Sequence, residues 1–254
     1  TIVSYDSNVV GLALRAFQFK RIPDSINALK KVIYMSADRS SVLESLPNTI
    51  GELNQLKTLW VTRCKKLQNI PDSIGNLKSL EYLDFWGCHI EELPNSILNL
   101  LLLKNLRFSG NNLATLPESI GKFKNLFNLD LSENNLTILP ESIGQLKNLV
   151  TLNLSYNKLQ NLPDSIGILS CLEELILTRN NLTLLPETMG KLTSLKKLNV
   201  SKNNLKSLPQ SIKMLKSIEY LDLSSNQIEK LPEVLKYLPK STNFSLSDNP
   251  LNKI

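Results

Sequence analysis

The chain has 254 residues, 42% of them hydrophobic, enough to bury a sizeable core, and no uninterrupted apolar run reaches the ~18 residues that a membrane span needs. The formal net charge of +6 is lopsided: residues 1–79 hold 11 Lys and Arg against 6 Asp and Glu, whereas residues 80–254 hold 18 against 17. The basic third can steer acidic partners but is read as solvated surface in preference to a nucleic-acid footprint, and the three scattered cysteines, Cys64, Cys88 and Cys171, are too few for a disulfide framework.

In chain order, residues 1–8 fit no pattern and are expected to pack as an N-terminal flank without a basic-then-apolar leader; any leader was either removed or never existed. From residue 9 one phrase repeats. Ten full units run 9–31, 32–55, 56–79, 80–102, 103–125, 126–148, 149–171, 172–194, 195–217 and 218–240, and a partial unit, 241–254, follows. The units at 32–55 and 56–79 have 24 residues rather than 23, the extra one lying just after the strand. Self-similarity at this period means a solenoid, and so residues 1–254 form one elongated domain.

Within a unit the period changes midway. In Leu126–Asn148, LFNLDLSENNLTILPESIGQLKN, the opening L-x-x-L-x-L alternates, which predicts a short strand with leucines on one side and the x residues on the other. The ninth residue is Asn, where the chain must turn, and its amide can satisfy backbone groups buried by that turn. Asn111, Asn134, Asn157, Asn180, Asn203, Asn226 and Asn249 should therefore stack into a ladder. The Leu-Pro that follows favours an extended residue and then a short helical turn. Gly51, Gly75, Gly121, Gly144, Gly167 and Gly190 serve either tight packing or positive φ.

Departures from the phrase carry the information. Phe17 takes the Asn place in the first unit and Phe19 the next apolar one, which suits a cap. Cys64 and Cys88 also replace ladder Asn and are read as structural thiols. A metal would need more convergent ligands than these two and His89 supply, so no metal and no cofactor is expected. Parallel side chains on neighbouring rungs do not suit a disulfide. Cys171 falls at a unit junction.

The outward strand positions are polar and Ser-lined from unit five to unit nine, but units two to four offer Tyr34, Trp60, Tyr82, Asp84 and Trp86, with Arg39 and Arg63 one place beyond. Tyr, Trp and Arg dominate interface energetics, and both indoles are expected to be accessible to solvent. The competing reading is that these rings pack on one another along the sheet. Asp84, Arg107 and Asp130 should lie side by side with alternating sign. No Ser-His-acid set, paired-carboxylate motif or glycine-rich phosphate loop appears, and His89 is the only histidine, so no catalytic residue is named. The N-x-S/T matches arise from the repeat itself and say little about glycosylation. Phe244, Leu246, Asn249, Leu251 and Ile254 close the chain without a polar cap.

The phrase LPxSIGxLxxLxxLxLSxNxLxx, nearly intact in residues 126–171, resembles the 23-residue leucine-rich repeat of bacterial, notably spirochaete, proteins and of intracellular Ras-associated and plant proteins. The resemblance covers residues 9–254. It implies an α/β leucine-rich repeat solenoid: a curved horseshoe with a parallel β-sheet on the concave face and short 3₁₀ or α turns on the convex face. It also implies protein recognition through the concave face, here by Tyr34, Arg39, Trp60, Arg63, Tyr82, Asp84, Trp86 and Arg107. The alternative is a structural or adhesive bacterial surface protein associating through its edges or end. Cysteine-rich caps of the animal extracellular kind are lacking, which favours a reducing compartment or a bacterial secreted protein. The expected partner is a protein of unspecified identity, with nucleic acid disfavoured, and the chain itself a monomer or a weak oligomer through its uncapped C-terminal end.

Overall fold

The computed structural model describes residues 2–5 and 8–251, so Ile254 lies outside it. Ile2–Tyr5 (β1) pairs antiparallel with Asn8–Arg15 (β2), and the flank thus joins the sheet as an edge strand. Parallel strands follow once per unit: Tyr34–Asp38 (β3), Thr58–Thr62 (β4), Tyr82–Asp84 (β5), Asn105–Arg107 (β6), Asn128–Asp130 (β7) and Thr151–Asn153 (β8). Glu174–Ile176 (β9), Lys197–Asn199 (β10), Tyr220–Asp222 (β11) and Asn243–Ser245 (β12) complete a sheet whose spatial order is its chain order. No helix among the described residues is long and apolar enough to cross a membrane.

Register follows the phrase. Leu129 pairs with Leu106 on one side and Leu152 on the other, and each is at most 1% exposed. Burying each such leucine contributes about 1.5–3 kcal/mol, which a unit can collect only when a neighbour covers it. The return segments are 3₁₀ turns throughout the described residues, as in Glu141–Gln145, where Pro140 stands one place before the turn and its carbonyl accepts the Ile143 N–H at 3.0 Å.

The unit glycines serve packing. A Cβ on Gly144 would run into the Ser165 carbonyl oxygen of the next turn, and one on Gly167 into that of Thr188. Positive φ falls instead on the eighth residue of every unit. Nine of these are not glycine, with φ of 48–56° from Ala16 to Asp248, and two are Gly87 and Gly110. From Ala16 to Ser225, each eighth-position N–H donates to the seventh-position carbonyl of the following unit at 2.7–3.0 Å, which offsets the roughly 1–2 kcal/mol cost of a left-handed residue.

The ninth residue closes the rung. Asn134 Nδ2 donates to the carbonyls of Phe108 (2.8 Å), Leu131 (3.0 Å) and Ser132 (3.1 Å), and its Oδ1 accepts the Leu113 N–H (3.0 Å). Asn111, Asn157, Asn180, Asn203, Asn226 and Asn249 bond in the same way. Upstream, Cys88 Sγ donates to Val61 O at 3.3 Å and Cys64 Sγ to Thr62 O at 3.5 Å, while Ser40 Oγ donates to Phe17 O. A thiol does not replace the amide oxygen as acceptor. The backbone N–H that the oxygen would have served is satisfied locally: Leu43 N–H by Ser40 Oγ at 3.1 Å, and Leu67 N–H by Cys64 O at 2.9 Å. Those two local turns lie in the two 24-residue units, the units followed by a cysteine rung. The extra residue and the thiol are one adaptation.

Candidate interaction surface on the concave sheet

The outward third and fifth positions of six strands, β4 to β9, line a cavity of about 410 Å³ on the sheet face, which marks that face as concave. Its first wall is aromatic. Trp60 on β4 is 42% exposed and Tyr82 on β5 is 43% exposed. Tyr34 meets Trp60 edge-to-face, centroids 5.1 Å apart, and so braces it along the sheet. The floor is Asn105, Asn128, Thr151 and Asn153, and Ile176 on β9 supplies an apolar far wall.

A charged row crosses the floor. Register places Arg107 between Asp84 and Asp130. Its guanidinium reaches Asp130 Oδ2 at 3.2 Å and Asp84 Oδ2 at 3.6 Å, and its Nε donates to Ser109 Oγ at 2.9 Å. Burial pushes the Asp84 carboxyl above its ordinary range, against the Trp86 N–H donated to it at 2.8 Å and the Arg107 charge. Toward the C-terminus the fifth and seventh positions satisfy each other. Asp130 Oδ1 accepts both the N–H (3.1 Å) and the hydroxyl (2.7 Å) of Ser132, and Asn153–Ser155, Asn199–Ser201 and Asp222–Ser224 repeat this. These side chains have less left to offer a partner.

The aromatic and arginine residues named from the sequence divide into two places. Tyr34, Trp60, Tyr82, Asp84 and Arg107 sit on strands facing the sheet's open side, the last four lining the groove. Trp86 stands at the seventh position, past the end of β5, and Arg39 and Arg63 occupy left-handed eighth positions. These three form the rim. Arg63 lies over one part of the Trp86 indole at 4.2 Å and Arg107 lies over it at 4.7 Å, so this ring is half-buried where solvent access was expected. Arg39 is engaged by Asp38 at 3.5 Å. Ile176 and Asp130 belong to the groove although the sequence reading did not single them out as contacts. The signal for Ile176 was an apolar residue at an outward position between Asn153 and Asn199.

Cys64 and Cys88 are buried free thiols, and Cys88, raised by its thiol neighbour and by burial, stays protonated. Among the described residues no three His, Cys, Asp or Glu side chains converge as a metal would require.

The sequence profile of a family described as "Leucine-rich repeat region" matches residues 83–202, and that of "Leucine rich repeat" matches residues 193–251. A comparison with curated proteins gave no match. Among solved structures, a leucine-rich repeat protein of Leptospira interrogans is similar at 32% identity and TM-score 0.75, over 92% of this chain and 65% of that one. This chain therefore spans less than two thirds of that protein's length. The plant peptide hormone receptor RGFR1, solved in complex with RGF2, aligns at 27% identity and TM-score 0.78, over 94% of this chain and 38% of the receptor. An internalin of Listeria monocytogenes shares the fold at TM-score 0.80 and 21% identity, over 92% of this chain and 66% of that one.

Proposed function

We propose, from the premise that the chain is a leucine-rich repeat protein, that it is a non-catalytic recognition module holding a protein partner against its concave sheet. The observation that carries this reading is the groove itself: two large rings, Trp60 and Tyr82, stand more than two fifths exposed at positions whose equivalents in units five to seven are Asn, Thr, Asp or Arg. Covering such rings with a partner's side chains returns the free energy that exposure withholds. Trp60 and Tyr82 act as the anchoring wall, braced by Tyr34. Arg107, held between Asp84 and Asp130, gives a fixed donor fork for a backbone carbonyl or polar side chain, and Ile176 closes the far side. That the similar receptor RGFR1 is seen with RGF2 supports a polypeptide as the class of partner.

The test is affinity capture from the native surroundings of the protein, with Trp60→Ala/Tyr82→Ala as control. The proposal expects the double variant to lose the captured protein while its thermal midpoint stays within a few degrees of the parent. Undiminished capture would refute it.

A further inference from the structure

The rim carries a second feature that the groove does not use. Arg63 and Arg107 stack on one indole, Trp86, but their charges are treated differently. Arg107 is neutralised by Asp84 and Asp130 and bonded to Ser109. Arg63 has no carboxylate partner and no side-chain hydrogen bond among the described residues, and neither does Lys65 beside it have an ion pair. Stacking engages the face of a guanidinium and holds it in place, leaving its in-plane N–H donors directed outward.

Those donors border a cavity. In the row of eighth-position residues, side chains stand on every unit except the two bearing Gly87 and Gly110. Left-handed backbone does not demand glycine there, since Arg, Glu, Tyr, Lys, Ser and Asp adopt the same φ in the other units. What the glycines provide is room. A Cβ on Gly110 would sit close against Gly87 Cα at 3.3 Å and touch Trp86 Cδ1 at 3.5 Å, one on Gly87 would touch Arg63 Cγ at 3.5 Å, and anything longer would project into the gap. The resulting notch is about 480 Å³, bounded by Arg63, Lys65, Trp86, His89, Asn112 and Glu133. Its Arg63 side is cationic and unneutralised, and Glu133 stands on the opposite wall.

We infer that this notch binds a carboxylate presented by the partner polypeptide, accepted bidentately by the Arg63 guanidinium with Lys65 adding charge, while the indole edge packs against the adjoining apolar atoms. The inference rests on the reading of the concave sheet as a protein-binding face. The carboxylate comes either from a chain end or from an acidic side chain. Glu133 opposes a free dianion more strongly than a single carboxylate, which sets phosphate below carboxylate in preference.

The experiment follows the indole N–H signals of the two tryptophans by NMR, assigned with Trp60→Phe and Trp86→Phe. The probes are acetyl-diglycine, N-acetyl-aspartate methylamide, acetyl-diglycine amide and inorganic phosphate. The Trp86 signal should move saturably with one or both carboxylate probes at millimolar concentration, the Trp60 signal should stay in place, and the neutral amide should have no effect. Response to acetyl-diglycine alone assigns a chain end, and response to the aspartate probe alone assigns a side chain. Arg63→Gln should weaken the response about tenfold, the loss of a hydrogen-bonded charge. Gly110→Ser, which places at this position the residue type found at φ 53° in Ser225, should fold and also weaken it by filling the notch. The inference is overturned by a Trp86 signal that ignores both carboxylates, responds equally to the neutral amide, binds phosphate more tightly than either carboxylate, or titrates unchanged in Arg63→Gln. The Trp60→Ala/Tyr82→Ala variant should titrate like the parent, so the notch and the groove can fail independently.

Discussion

In unit six an amide at the ninth position, Asn134, makes three donations and accepts a fourth hydrogen bond, tying its own unit to the one before. In units three and four the same place holds Cys64 and Cys88, which donate weakly at 3.3–4.0 Å and accept nothing from the preceding unit. The two regions share rise, register and leucine core. What differs is where the polar work is done: the later units pass it between rungs, and the units before the cysteine rungs spend one more residue to do it locally. The outward faces divide along the same line. The later strands pair Asp or Asn with Ser on their own surface, while the earlier ones leave rings exposed.

That contrast can be broken by substitution, most forcefully at the amide. Asn157→Ala leaves the Leu136 N–H without its acceptor and removes one of two donors from Leu131 O and Leu154 O, which keep Asn134 and Asn180, and should cost about 2–4 kcal/mol in urea unfolding, one buried group left unsatisfied plus the hydrogen bonds lost. A feature common to both regions should cost the same in each. Gly51→Ala and Gly167→Ala both push a methyl into a carbonyl of the next turn, at Ser73 and Thr188, for about 1–3 kcal/mol apiece by the same measurement. Deleting Lys66 shortens unit three to 23 residues and removes the local turn over Leu67; adding Cys88→Asn supplies the missing acceptor and should recover about 1–2 kcal/mol of the deletion's cost. Smallest of all, Cys88→Ala alone should lose no more than about 1.5 kcal/mol, because the group removed is a weak donor and a small apolar volume. A Cys88→Ala loss equal to that of Asn157→Ala would erase the distinction.

Much of this was legible in the sequence because a strict period makes each residue's place in the unit a statement about burial. The leucine rows, the strands and the asparagine contacts all fall where the phrase puts them. Three features were not. The 24-residue units and the cysteines were visible separately, but only the Leu43 and Leu67 hydrogen bonds link them. Gly51, Gly75, Gly121, Gly144, Gly167 and Gly190 were assigned tight packing or positive φ; at Gly144 the structure shows packing, and the positive φ falls on Gly87 and Gly110, which the sequence reading had not named. Alternation placed Trp86 on the same face as Trp60. Yet β5 ends at Asp84, and the turn toward the left-handed Gly87 carries the indole to the rim between two guanidiniums. Alternation predicts facing only as far as the strand persists.

The central claim is that an outward ring at the fifth position of unit three belongs to the surface a partner covers. The most direct test is acrylamide quenching of the Trp86→Phe variant, whose sole indole is Trp60, measured free and then with the captured partner bound. Trp60 should be readily quenched in the free protein and shielded in the complex. Emission already shielded without the partner, or equally quenched with it, would contradict the account.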